Sequence, residues 1–159
     1  MSVAFTREED IEAAAAHLPD RPISPHPNLV TTKGLAELDT ALAAARAAYA
    51  AAQVTSGANA DRTAMARASR DLRYYMARRA SARQVEPNVG SGTVVFGSRV
   101  TFDRGDGRSQ TFRIVGEDEA DVARGSVSYL SPIARALLGK AVGNTATLVG
   151  AEVQVVAVD

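Results

Sequence analysis

The stretch that decides the fold is Ser-Pro-Ile-Ala-Arg-Ala-Leu-Leu-Gly-Lys, residues 131–140. Serine is favoured just before a helix because its side-chain oxygen accepts a hydrogen bond from a backbone N–H of the first turn. Proline suits the first helical position, where its missing N–H would have no partner. A glycine after the apolar run ends the helix. The pattern predicts one short helix over 133–138 that begins at Ser131-Pro132 and stops at Gly139.

Segments on both sides of this helix are rich in β-branched residues and are bounded by turn residues. Asp103 to Gly107 ends in Asp-Gly, a hairpin signal, while Gly97 marks a bulge or tight turn and Gly150 a final turn. The predicted strands lie at 93–102, 111–115, 126–130, 145–149 and 152–158. This order predicts a small antiparallel sheet with a single helix packed on it.

The preceding segment, from 32 to about 84, has helical periodicity instead. Its apolar positions are spaced alternately three and four residues apart, which is the heptad seam of a coiled coil. The seam positions are Leu35, Leu38, Leu42, Ala45, Tyr49 and Ala52, then Met65, Ala68, Leu72, Tyr75, Arg79 and Ala82. Ser56-Gly57-Ala58-Asn59 interrupts the pattern, and so short a link predicts two antiparallel helices. The fold class is therefore α+β, a helical hairpin followed by a sheet domain.

We expect three segments. Residues 1–30 are an extended or partly disordered leader, because Pro19, Pro22, Pro25 and Pro27 each remove a hydrogen-bond donor. Residues 31–87 form the helical hairpin. Residues 88–159 form the C-terminal domain.

Basic charge is concentrated in the second helix of the hairpin. The whole chain carries 18 basic and 18 acidic side chains, yet residues 61–83 hold seven arginines and two aspartates. At about 100° per residue, five of these arginines fall on the side opposite the seam: Arg62, Arg67, Arg70, Arg73 and Arg78. This arginine face is either a solvated surface or a contact for nucleic-acid phosphate or an acidic protein channel.

The composition excludes several classes of function. The chain has no cysteine, which removes disulfides, thiol nucleophiles and cysteine-bound zinc. Its two histidines, His17 and His26, lie in the proline-rich leader, so we expect no metal site and no cofactor. No apolar run of about 18 residues is present, so no membrane span is expected. The simplest interpretation is a cytoplasmic monomer.

The C-terminal segment resembles the C-terminal domain of the GreA/GreB transcription elongation factors. The resemblance rests on an ordered, correctly spaced series of motifs: Phe96-Gly97, Phe-Arg-Ile-Val-Gly at 112–116, Asp-Glu-Ala-Asp at 118–121, residues 131–140 and Val142-Gly143. It implies an α+β domain like the FK506-binding proteins. It also implies that this domain docks on the rim of the secondary channel of bacterial RNA polymerase while the coiled coil enters the channel. The family belongs to the DNA-binding regulators of DNA-templated transcription elongation.

The tip of the hairpin departs from the family pattern. In the family, two acidic residues at the tip help to hold a catalytic magnesium ion, and the polymerase then cleaves backtracked RNA. Aligning Asn59-Ala60-Asp61 with the family tip places Thr55 and Ala58 where those carboxylates belong. Asp61 remains the only weak catalytic candidate, and its position is better explained as a first-turn carboxylate favoured by the helix dipole. The arms also look about one heptad shorter than in the family.

These observations favour a factor that modulates elongation with weak or no stimulation of cleavage, and not an enzyme in its own right. The alternatives are a true transcript-cleavage factor and a relative of the regulator of nucleoside diphosphate kinase, which shares the C-terminal domain. The resemblance points to a polymerase-binding site around the Ser-Pro turn, formed by Leu130, Ser131, Pro132 and Arg135. The arginine face would bring indirect contact with nascent RNA.

Overall fold

The computed structural model describes residues 18–55, 62–88 and 90–159, which divide between two compact units. The first unit, here called the helical unit, contains the residues up to His26 together with Leu38–Ser81. The second, here called the sheet unit, contains Pro27–Glu37 and Ala82–Asp159.

Two helices dominate the helical unit. Helix α1 spans Thr32–Val54 and helix α2 spans Arg62–Ser81. Seam positions Leu38, Leu42 and Ala45 of α1 are buried, as is Ala68 of α2. Arg79, which interrupts the apolar seam near the end of α2, forms an ion pair with Asp39 near the start of α1. A contact between the end of α2 and the first half of α1 is what the predicted antiparallel pair requires.

A five-stranded sheet forms the body of the sheet unit. Its strands are β3 Arg99–Arg104, β4 Ser109–Val115, β5 Ser126–Ser128, β6 Thr145–Leu148 and β7 Ala151–Val158. They lie side by side in the order β5-β4-β3-β7-β6. Neighbouring strands pair antiparallel except β4 and β5, which pair parallel. A short helix, α3, spans Pro132–Leu137 and closes one face.

The core of the sheet unit lies between α3 and the inner face of the sheet. Phe102, Ile114 and Leu137 are fully buried there, with the rings of Phe102 and Phe112 stacked 6.3 Å apart. Alternate residues of each strand face outward, so the outer face of β3 and β4 is polar. A strand with one apolar and one polar face has a defined register, because a slip by one residue would expose the whole apolar set.

Residues 27–37 are an integral part of the sheet unit. Strand β1, Leu29–Val30, pairs in parallel with β2, Arg83–Gln84. Thr31 then caps α1, since its hydroxyl oxygen accepts a hydrogen bond from the Gly34 amide at 2.9 Å. The same hydroxyl donates to the carboxylate of Glu119 at 2.6 Å. The Asp-Glu-Ala-Asp motif thus holds the first turn of α1.

The predicted α+β fold class is confirmed, with four local differences. The sheet is mixed because β5 joins it in parallel. The first predicted strand begins at Arg99 and not at Thr93, which makes only an isolated bridge to Ala141. Between these two residues the chain turns at Gly97, as predicted, with φ 88°, a conformation that glycine adopts readily. The predicted leader contains β1, and α2 ends at Ser81 because Arg83–Gln84 pairs with β1. Residues 1–17 of the leader lie outside the described residues.

Candidate polymerase-docking turn and arginine face

The turn before α3 is held by hydrogen bonds on both sides of the Ser-Pro pair. The hydroxyl oxygen of Ser131 accepts from the amide of Ala134 at 3.2 Å, and Pro132 occupies the first turn. On the upstream side, the amide of Ser131 donates to the carbonyl of Ser128 at 2.9 Å, and the amide of Leu130 donates to the Ser128 hydroxyl at 3.1 Å. The backbone of the turn is therefore fixed before any partner binds.

Aromatic contacts support the turn from below. The ring of Tyr129 packs edge-on against Phe96, with ring centroids 5.8 Å apart. Its hydroxyl donates to the carbonyl of Pro27 at 2.6 Å. A tyrosine that is packed on one side and hydrogen-bonded at its tip has little rotational freedom. The proline-rich segment thus takes part in supporting the turn, which its composition alone does not indicate.

The four candidate docking residues differ in exposure. Pro132 and Arg135 are exposed, whereas Leu130 and Ser131 are half-buried. Arg135 lies one turn into α3 and follows the buried Ala134. The exposed groups at this turn are therefore an apolar ring at Pro132 and a cationic group at Arg135, one helical turn further along.

The arginine face of α2 is smaller than the helical period predicts. Arg62, Arg67 and Arg73 are exposed and Arg70 is half-buried. Arg78 is buried, with only 2% of its surface exposed, so its assignment to an exposed face is wrong. Helical periodicity places Arg78 opposite the seam, but it does not reveal whether other segments of the unit cover that position.

A strap, residues 18–26, occupies part of the arginine face. The carboxylate of Asp20 accepts hydrogen bonds from Arg73 at 2.6 and 2.9 Å. The guanidinium of Arg21 lies 3.7 Å from the ring centre of Tyr74 and 3.4 Å from the carboxylate of Asp71. A side-chain hydrogen bond with Tyr75 raises the pKa of Arg21, so its positive charge persists. Two charges of α2, those of Asp71 and Arg73, are therefore already neutralised within the unit.

Of the three candidate tip residues, Thr55, Ala58 and Asp61, only Thr55 lies within the described ranges. Asp61 and Ala58 lie outside the described residues. Thr55 directly follows α1, and its hydroxyl lies within hydrogen-bond distance of the carbonyls of Ala52 and Ala51, at 3.1 and 3.3 Å. Its single proton is therefore directed to the backbone of its own helix. A neutral hydroxyl in this position is a weak substitute for a carboxylate, since magnesium prefers anionic oxygen ligands.

Two further findings limit the chemistry of the described ranges, 18–55, 62–88 and 90–159. They contain no group of three or more histidine, aspartate or glutamate side chains arranged to hold a metal ion. None of the helices in these ranges has the length and apolarity needed to cross a lipid bilayer.

Architecture and motifs together define the class of protein: a helical pair joined to a small curled sheet that carries one capped helix. Residues 88–159 match the family model described as the C-terminal domain of the transcription elongation factors GreA and GreB. The C-terminal part of the chain, residues 88–159, is therefore similar to the C-terminal domain of that family. The motifs of the Ser-Pro turn and of residues 112–121 lie inside the matched range.

Individual relatives match over half of the chain or less. A GreA from Verminephrobacter eiseniae is 48% identical over 68 residues, which cover 41% of this chain and 43% of that protein. A GreB from Neisseria meningitidis serogroup A is 41% identical over 81 residues, which cover 50% of each. The chain thus spans about half the length of the curated relatives it matches.

Solved structures of similar proteins were also found. GreA factor homolog 1 of Thermus thermophilus aligns over 84% of this chain and 99% of its own, with 24% identity and a TM-score of 0.39. A GreA/GreB factor from Nitrosomonas europaea aligns over 82% and 97%, with 23% identity and a TM-score of 0.37.

Proposed function

We propose that this protein is a cytoplasmic factor that binds bacterial RNA polymerase and modulates transcription elongation without being an enzyme itself. The observation that supports this best is the rigid Ser-Pro turn inside a GreA/GreB C-terminal domain. Hydrogen bonds on both sides and the Tyr129 ring below order the turn in the free protein. A surface that is ordered in advance loses little conformational entropy on binding, so its contacts contribute more fully to affinity.

The docking residues are best tested with a double variant, Leu130→Arg with Pro132→Ala, in the full chain. Leu130 would carry a bulky charge into an apolar contact, and Pro132 would lose its ring while alanine keeps the helix. We expect binding to purified polymerase to weaken by about tenfold or more, as for interface anchors in general. Circular dichroism checks that the variant is folded.

A matched control is Thr147→Arg, which adds the same charge at an exposed position of β6. It should bind polymerase like the wild type. Arg135→Gln offers a second test at an exposed position that does not support the core. If the folded double variant and Arg135→Gln both bound as tightly as Thr147→Arg, the turn would not be the docking site.

We further propose that the helical pair enters the secondary channel but stimulates RNA cleavage weakly or not at all. The helices have 23 and 20 residues, so the longer arm extends for about 35 Å at about 1.5 Å per residue. Thr55 offers a neutral hydroxyl where the resemblance expects a carboxylate. Losing one well-placed electrostatic contact at a reacting centre costs about 10²–10³ in rate.

The test is a time course of labelled RNA in backtracked complexes with purified polymerase. The protein should release short 3′ fragments little faster than background, and it should slow release by a cleavage-competent factor because both occupy one channel. Asp61→Asn serves as the control. Rapid cleavage that disappears in Asp61→Asn would make Asp61 catalytic and would contradict the proposal.

The arginine face is proposed to contact an acidic channel wall or nascent RNA through its exposed members. Arg67 is exposed and is the sharpest probe, whereas Arg73 is already paired with Asp20. Replacing Arg67 with Gln preserves helix propensity and removes the charge. Polymerase affinity should fall and become less sensitive to salt. Arg46→Gln, an equally exposed arginine of α1, should change neither, and an identical response from both variants would indicate a solvated surface.

A further inference from the structure

A groove of about 950 Å³ lies in the sheet unit and is not used by the proposed polymerase contacts. Arg99 of β3 and Arg113 of β4, which face outward from the sheet, line the groove. Lys33 of α1 and the segment from Asp118 to Ser126 also line it. The volume falls within the range of roughly 300–1,000 Å³ that is typical of small-molecule sites.

Arg99 and Arg113 are directly opposite each other on antiparallel strands. The amide of Ile114 donates to the carbonyl of Ser98 at 2.9 Å, so the next pair, Arg99 and Arg113, is a non-hydrogen-bonded pair. Side chains approach most closely at such positions. Two like charges placed directly opposite each other destabilise a sheet. The repulsion would be relieved by an anion bound between them.

Within the part of the chain that the structure describes, neither Arg99 nor Arg113 forms an ion pair or a side-chain hydrogen bond. The groove is lined by four acidic and four basic side chains. Among the acids, Glu37 pairs with Lys33 at 2.8 Å, Glu119 accepts from Thr31, and Asp121 pairs with Arg124 at 3.5 Å. Among the described residues, no carboxylate therefore lies within ion-pair distance of Arg99 or Arg113, although the groove as a whole carries no formal net charge.

The chemistry of the two side chains selects the ligand. A guanidinium presents a planar fork of N–H donors that matches the oxygens of a phosphate, and two adjacent forks suit an anion with several such oxygens. The lining also includes two adjacent apolar side chains, those of Val122, which is 67% exposed, and Ala123. A sugar or base could rest there while phosphates reach the arginines.

We propose that Arg99 and Arg113 form a binding site for the phosphate groups of a small polyphosphate anion. The anion can be inorganic or carried by a nucleotide. The proposal does not depend on the polymerase-docking turn, since the Leu130, Pro132 double variant leaves both arginines in place. A negative result for the phosphate site would therefore not contradict polymerase docking at the Ser-Pro turn, and the reverse also holds.

The probes are sodium tripolyphosphate and ATP, titrated by calorimetry into the full chain at low ionic strength. The site variant is Arg99→Gln with Arg113→Gln, and the matched control is Arg104→Gln with Arg108→Gln. Both variants remove two positive charges from the hairpin formed by β3 and β4, but the control pair lies at its other end, and Arg108 is 83% exposed beside Asp106. We expect the site variant to weaken binding about tenfold or more, and the control to weaken it less than about twofold.

Each outcome decides the question. Stronger binding of ATP than of tripolyphosphate would identify a nucleotide ligand, and equal binding would identify phosphate recognition alone. Without ligand, the site variant should melt at the same temperature as the wild type or higher, because a like-charge pair is removed, and this also verifies folding. No saturable binding of either probe at millimolar concentration, or equal losses in the site and control variants, would overturn the proposal. So would a single-stranded RNA that binds through these arginines when neither anion does.

Discussion

The two units of this chain achieve stability by different means. Among the described residues, all the largest fully buried side chains belong to the sheet unit, and they include Phe102, Ile114 and Leu137. The buried residues described in the helical unit are two leucines and two alanines together with Arg78. Apolar burial stabilises by about 25 cal/mol per Å², so a leucine or phenylalanine contributes far more than an alanine. The sheet unit is thus stabilised by its core.

The helical unit depends more on other terms. Alanine gives α1 and α2 high helix propensity, but helices of this kind need tertiary contacts to be stable. Those contacts include polar ones, such as Arg79 with Asp39 and Arg21 over Tyr74. Polar surface contacts are individually weak and sensitive to salt. The comparison therefore predicts large mutational effects in the sheet unit and smaller, salt-dependent effects in the helical unit.

The largest expected effect is that of Leu137→Ala in the sheet unit. The side chain is 0% exposed and sits within the core cluster, so removing it should cost about 3–5 kcal/mol of unfolding free energy. The matched change in the helical unit, Leu42→Ala, removes a side chain that is 8% exposed and should cost about 2 kcal/mol. Urea denaturation followed by circular dichroism measures both. A larger loss for Leu42→Ala would reverse the comparison.

A second change tests whether residues 27–37 belong to the sheet unit energetically as well as by contact. A Cβ at Gly116 would collide with the backbone carbonyl oxygen of Leu29 in β1, and a backbone atom cannot rotate aside. Gly116→Ala should cost about 1–3 kcal/mol, the usual penalty of overpacking.

The control for that prediction is Gly105→Ala in the loop between β3 and β4. A Cβ at Gly105 meets no atom within 4 Å. This substitution should be neutral or stabilising by about 0.4–1 kcal/mol, because alanine restricts the unfolded chain. If the two variants had the same unfolding free energy, β1 would be a loosely held segment and not part of the sheet unit.

The comparison also explains how much could be predicted from the sequence. The Ser131 cap, the turns at Gly97 and Gly150 and the heptad seam follow from local chemistry, and the structure contains all of them. The parallel pairing of β4 with β5 depends on contacts between distant residues, which no local pattern specifies. The Ser-Pro turn could be located from its motif, whereas its support by Tyr129 and Pro27 could not.

The sequence predicts the burial and the partners of charged residues least well. A helical period states which side of α2 Arg78 and Arg73 occupy, but burial depends on what covers that side. The sequence predicts neither the burial of Arg78 nor the pairing of Arg73 with Asp20. Asp20 lies 53 residues before Arg73, and no local pattern shows which residues cover Arg78. One feature of the sequence does indicate that Arg99 and Arg113 lie opposite each other. Both flank the turn of the predicted hairpin, so an exact strand register would have brought them together.

A smaller effect is expected from Arg21→Ala, which removes the contacts of the strap with α2. The cation–π contact and the partly exposed ion pair with Asp71 should together contribute about 1 kcal/mol to local stability. Hydrogen exchange of α2 amides should accelerate by about fivefold, since 1.4 kcal/mol corresponds to a factor of ten. Arg46→Ala, on the exposed surface of α1, is the control. Equal exchange rates in both variants would show that the strap does not stabilise α2.

The smallest effect concerns Lys33 in the first turn of α1. Its pKa is raised, chiefly by the hydrogen bond to Glu37 at 2.8 Å and further by the charges of Glu37 and Glu119, while burial and Arg124 act in the opposite direction. A raised pKa in a base means that the folded state binds the proton more tightly than the unfolded state. The contribution of Lys33 to the stability of the folded state is therefore complete below the ordinary lysine pKa of about 10.4. It is lost as the pH rises through the raised pKa of Lys33 in the folded state.

Because the Lys33 side chain is 67% exposed, solvent screens the contact and its contribution to stability is small. An NMR titration of the lysine side chain measures the pKa directly. In Glu37→Gln the largest cause of the shift is removed, so the midpoint should fall towards the ordinary value. The Glu119 carboxylate lies 3.8 Å from the ammonium group and should preserve part of the shift. A midpoint that did not move in Glu37→Gln would mean that Lys33 is held by the sheet unit through Glu119 and not by its own helix.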